Sequence, residues 1–205
     1  MPKIPRKRSI QQYWNALVYM DASLNFHPDT RELVSEIRPL MPRVEKLLQE
    51  ERQWIQSMLE SKARLMSARQ NWKLGFNRLL KLLNTFEYDK VREIQEPVLE
   101  VYPRGNRGPD YDVQVRDVEA VFRKLLEEQE MPPEIRSGIE FMLRAGQEVM
   151  QLWDLHESVR NGKERMLQEQ DIQKAEVNAA MQRIEKKLKK LFPYEQRYLQ
   201  SFFYK

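Results

Sequence analysis

Residues 42–86 constrain this chain more than any other stretch. From Pro42 to Phe86, Val44, Leu48, Ile55, Met58, Leu65, Trp72, Phe76, Leu79, Leu83 and Phe86 keep to one track of three- and four-residue steps. That period is the signature of an amphipathic α-helix. At about 1.5 Å per residue, an unbroken helix over this stretch is about 67 Å long. Gly75 weakens the segment without ending it. Glu51, Lys62 and Arg69 fall on the same track, so the apolar seam is interrupted. A helix of this length must find a partner for its stripe, which predicts an all-α protein. The form expected is a long-helix antiparallel bundle, coiled-coil-like, within one domain over 9–192.

Ser9 and Gln12 have the S-x-x-Q spacing of a capping box, and Ile10, Trp14, Leu17 and Val18 follow at helical spacing. A helix over about 9–22 is expected. LNFHPD breaks it, Asp29 caps a second helix over about 30–38, and Pro39 and Pro42 restart the chain. Val115, Val118, Val121, Phe122, Leu125 and Leu126 predict a helix over about 115–130. From Pro133 to Phe192 the stripe returns through Ile135, Ile139, Met142, Val149, Trp153, Met166, Val177, Met181, Ile184, Leu188 and Leu191. Asn161-Gly162 leaves two alternatives for 133–192: one very long helix, or an αα-hairpin.

Residues 88–114 differ in kind. Three prolines and two glycines interrupt helical periodicity, and VLEVY and YDVQV flank PRGNRGPD. The expectation is a small β-hairpin or an extended loop at about 97–115.

Composition then limits the chemistry. Four of the 35 basic side chains lie in residues 1–8, which hold no acidic ones, and the other 31 balance the 31 Asp and Glu. The net charge of +4 is therefore a property of one tail. There is no cysteine, so disulfides, thiolate metal sites and cysteine nucleophiles are excluded. The N-terminal charges are followed by no apolar region of the signal-peptide kind, and no apolar run approaches the ~18 residues of a membrane span. The chain is expected in the cytoplasm.

His27-Pro28-Asp29 resembles the signature tripeptide of J-domain co-chaperones over those three residues alone. A J-domain places a short helix and a longer basic helix before that loop, whereas 26 residues precede His27 here. The tripeptide is read as the end of one helix and the cap of the next. His156 lies on the apolar stripe beside Trp153, but a Glu-x-x-His metal motif would need an acid where Trp153 stands. It is read as a core or boundary histidine. Neither histidine has a recognisable nucleophile nearby in sequence, and no Gly-rich phosphate loop occurs. No enzyme, cofactor or metal is expected.

Two features concern partners. Tyr194, Tyr198 and Phe202 recur every four residues, with Phe203 and Tyr204 beside them, in an aromatic C-terminal segment over 193–205. Such an end packs on its own bundle or docks on another subunit. The basic residues fall into three groups: Lys3, Arg6, Lys7 and Arg8 in the tail; Arg104 and Arg107 around Gly105 and Gly108; and Lys186, Lys187, Lys189 and Lys190 near a helix end. Gly105-Asn106-Arg107-Gly108 has the GxxG spacing of the backbone clamp in KH domains. There the loop joins two helices, whereas the flanks here read as extended, and a hairpin tip explains the same letters. The expected function is a non-catalytic helical scaffold or protein–protein interaction protein, self-associating through its long helices and aromatic end. The alternative is a nucleic-acid-binding or nucleic-acid-coating protein that uses the three basic groups together.

Overall fold

The structure is a computed structural model describing residues 8–85, 91–101, 111–128 and 130–203. Six α-helices and one 3₁₀ segment make up the ordered elements among them: α1 (Ile10–Phe26), the 3₁₀ segment (Pro28–Glu36), α2 (Met41–Thr85), α3 (Val91–Val101), α4 (Tyr111–Glu128), α5 (Pro133–Leu191) and α6 (Gln196–Ser201). The all-α class holds, and no strand occurs among the described residues.

The capping contact that opens α1 is present, with Gln12 Oε1 accepting from the Ser9 N–H at 3.2 Å. The helix runs four residues past the expected end and stops at His27, whose backbone is extended ahead of Pro28. The next element is 3₁₀ rather than α. Its turn is held by Thr30, whose buried hydroxyl donates to the Leu24 carbonyl at 2.7 Å. Residues 133–191 form one helix through Gly162, so the hairpin alternative does not apply.

The expected hairpin needs correction. VLEV lies in α3 and YDVQV opens α4, so both flanks of PRGNRGPD are helical. The tip, 102–110, lies outside the described residues. Pro97 sits inside α3 and removes a backbone donor there. Ile94 and Val98, four apart on one face, are fully buried in the same core as Val115 and Phe122 of α4. Burial of that stripe offsets the local cost of the proline, which a reading of the letters alone took as decisive.

The chain divides into two units, one comprising Met1–Gln56 with Asn161–Lys205 and the other Ser57–Arg160. Both α2 and α5 contribute residues to each. In the first unit, α1 supplies Ile10, Leu17 and Met20, α2 supplies Val44 and Leu48, and α5 supplies Ile184 and Leu188. Arg43 pairs with Glu176 and Lys163 lies over the Trp54 ring, so partners descend along α5 as they ascend along α2. The two helices run antiparallel there.

In the second unit the core is built on Trp72 and Phe76 of α2, which stack at 5.3 Å, with α3, α4 and Ile135, Ile139 and Met142 of α5 around them. Here too the helices are antiparallel, because Ser61 meets His156, Gly75 meets Phe141 and Leu79 meets Gly138. The approach is close. A Cβ on Gly75 would stand 2.7 Å from Phe141 Cε1, and one on Gly138 would stand 2.9 Å from Leu79 Cδ1.

Two glycines of α5 should therefore respond oppositely to alanine. At Gly162 nothing lies within 4 Å of the new methyl group, and Gly162→Ala should stabilise the protein by about 0.5–1 kcal/mol in urea denaturation. Gly138→Ala must displace the buried Leu79 side chain, at a cost of about 1–3 kcal/mol that exceeds the gain in helix propensity. Equal shifts at the two positions would contradict the close approach of α2 and α5.

Candidate interaction surfaces

The aromatic C-terminal segment turns back on the first unit. Phe202 is 1% exposed and Phe203 5%, both in one core with α1 residues. Tyr198 is half-buried, edge-on to Phe192 and Phe202 at 5.0 and 5.1 Å. Burial pushes its phenol above the usual tyrosine range, and the carboxylates of Glu195 and Asp29 add to the shift. The His27 ring closes the cluster, edge-on to Tyr198 at 5.2 Å and to Phe202 at 5.7 Å. The histidine of the HPD tripeptide thus packs on the C-terminal aromatic residues. Of the five aromatic residues expected at a partner interface, two are core, Tyr198 is shared with that core, Tyr194 is 96% exposed, and Tyr204 lies outside the described residues.

The basic groups are only partly available for an external anion. Lys187 Nζ lies 2.7 Å and Arg183 Nε 2.9 Å from the two carboxylate oxygens of Glu36. Lys189 pairs with Glu185 at 2.7 Å. Lys186 and Lys190, four apart and exposed, have no ion pair among the described residues, and Arg8 is exposed. Lys3, Arg6, Lys7, Arg104 and Arg107 lie outside the described residues. Hydrogen bonds from Lys187 and then Arg183 hold the Glu36 carboxyl below its ordinary value of 4.5.

A contact that the sequence reading missed joins Ser61 to His156. Ser61 Oγ lies 3.1 Å from the Met58 carbonyl and 3.0 Å from His156 Nδ1. Which of Ser61 Oγ and His156 Nδ1 donates to the other depends on the imidazole tautomer. The pair is a polar link between α2 and α5, with Ser61 buried. No metal-binding cluster of acidic and histidine side chains occurs among the described residues.

What remains is surface. On α2 of the second unit, Leu59 and Met66 are 64% and 54% exposed and seven residues apart, hence on one face. A groove of about 340 Å³ lies between α2 and α5 of the same unit, lined by Leu74, Gly75, Arg78, Phe141, Arg144 and Glu148, among others. Leu74 and Phe141 are both half-exposed along it. Nothing in the sequence marks this groove, because Phe141 lies off the buried track and Gly75 reads only as a weak helix position. No helix among the described residues is long and apolar enough to cross a membrane.

Phe202→Ala should destabilise the first unit by about 3–5 kcal/mol, as expected of a core aromatic, with lost near-ultraviolet dichroism reporting the change. A variant that only dissociates, with its thermal unfolding unchanged, would return Phe202 to an interface role. For Glu36, the folded carboxyl ionises at lower pH than the unfolded one. Its contribution is therefore complete above about pH 4.5 and is lost as pH falls through the depressed folded value. Glu36→Gln should cost about 0.5–1 kcal/mol at pH 7 and low salt, with a difference from wild type that vanishes in acid. A difference that persists unchanged at pH 3 would show that the ion pairs are not its source.

Compared with known protein families, with curated proteins and with solved structures, the chain has no match.

Proposed function

We propose that this chain is a non-catalytic helical scaffold that works through protein–protein contact and self-associates along the uncovered face of its long helices. The observation that supports this most directly is the pair Leu59 and Met66. Two large apolar side chains, each more than half exposed and on one helical face, are costly to leave in water and inexpensive to cover with a second helix. Methionine suits such a surface because its unbranched side chain adapts to a partner. The aromatic end supports the reading less than its letters promise, since Phe202 and Phe203 are used inside the first unit. The absence of cysteine suits a reducing compartment, and the proposal places the protein in the cytoplasm.

The test is light scattering over a concentration series, with absorbance at 260 and 280 nm read across the same peak. The expected result is a defined multiple of 24.8 kDa, shifted toward monomer in Leu59→Glu/Met66→Glu with far-ultraviolet dichroism unchanged. A monomer at every concentration would sink the self-association. Excess 260 nm absorbance that disappears in high salt would instead favour nucleic acid, carried by the tail and by Lys186 and Lys190.

A further inference from the structure

We infer that the α2–α5 groove of the second unit seats an acidic amphipathic helix of a partner protein, an inference that rests on the interaction-protein reading but not on self-association. The groove exists because of one missing side chain. At Gly75 a Cβ would meet both the Phe141 ring at 2.7 Å and Met142 Sδ at 2.9 Å. Without it, the Phe141 ring lies against the α2 backbone while staying 48% exposed, next to Leu74 at 45%. An aromatic ring and a leucine side by side offer an apolar seat for two side chains one helical turn apart, the usual anchors of a helix laid in a groove. The volume of about 340 Å³ is near the lower end of the roughly 300–1,000 Å³ over which clefts hold ligands.

The charges around that seat identify the occupant. Arg78 is one turn beyond Leu74 on α2, and Arg144 is about one turn beyond Phe141 on α5, which runs the other way. The two arginines therefore flank the apolar patch from opposite sides. Both are exposed, and neither has an ion pair among the described residues. Glu148 lies one further turn along α5, likewise without an ion pair among the described residues. Neither the same groove nor the Leu59–Met66 stripe of a second copy suits this surface. Groove on groove would bring four arginines against two glutamates, and the exposed Leu59–Met66 stripe carries Lys62 between its two residues. A helix with an apolar pair bracketed by Asp or Glu would satisfy both guanidinium groups, which bind carboxylates in a two-pronged geometry. Glu148 sets the direction of that helix, by disfavouring a third acid at its own end of the groove.

The experiment is fluorescence anisotropy of the full chain with two labelled synthetic helical peptides of about 16 residues, long enough to hold a helix when bound. Both carry Leu at positions i and i+4, bracketed by Glu in one and by Lys in the other. The acidic peptide should bind wild type, with affinity falling as salt rises, and the basic one should not. Arg78→Glu/Arg144→Glu should weaken the acidic peptide about tenfold or more and let the basic peptide bind. Phe141→Ala should weaken the acidic peptide without restoring the basic one. Equal binding of both peptides to wild type, or no loss in the double variant, would overturn the proposal, as would absence of binding by the acidic peptide. Light scattering on the same samples keeps the two readings apart. A monomer that binds the acidic peptide removes self-association and leaves the groove standing, whereas an oligomer that ignores it removes the groove alone.

Discussion

A helix of 45 or 59 residues carries an apolar stripe over most of its length, whether or not anything stands ready to cover it. That obligation governs the rest of this structure. Amphipathic helices within proteins gain most of their stability from tertiary packing of the apolar face. In each unit α2 and α5 lie against each other in opposite directions, and the remaining elements cover what the pair leaves open. In the first unit these are α1, the 3₁₀ segment and α6, and in the second α3 and α4. The short elements are thus placed by the long ones. Pro97 inside α3 is tolerated for this reason, since Ile94 and Val98 have somewhere to go.

How close two helices come depends on what stands between their backbones, and in the second unit the answer is very little. Gly75 and Gly138 let the facing helix's side chains sit where a Cβ would otherwise be. The same economy that tightens the packing opens the groove, because a ring lying over a glycine cannot also fill the space beside it. The close approach and the groove draw on one feature. Leu59, Met66, Leu74 and Phe141, all left exposed, sit on the two helices whose stripes the fold is organised to bury.

Charge is distributed by a similar logic. The lysine-rich end of α5 looks like an anion site in the sequence, yet Lys187 and Arg183 converge on Glu36 from the 3₁₀ segment and Lys189 on Glu185. For Lys187 and Arg183 the carboxylate comes from more than a hundred residues away, and no local pattern announces it. Inside the first unit, α5 also buries Gln170 at 2% and Lys174 at 6% exposure, where its apolar track lapses between Met166 and Val177. The buried stripe continues through polar residues because helix geometry, rather than residue type, decides which positions face inward.

By itself the sequence determined the helical class, the first long helix, the start of α1 and the break around Pro28, and it left 133–192 open between one helix and a hairpin. These rest on period, capping and proline chemistry, which act within a few residues of each other. It also identified most of the second core, from Trp72, Phe76, Leu79 and Leu83 to Ile135, Ile139 and Met142. Only the tertiary structure decided that VLEV and YDVQV are helical, that Phe202 and Phe203 are core, that Lys187 is paired, and that Phe141 lies over Gly75. Each of these depends on a neighbour distant in sequence: α4 for α3, α1 for the aromatic end, Glu36 for Lys187, and α2 for α5. A stripe can be read from spacing, but what covers it, and what stays uncovered, is set by which helices approach and how closely.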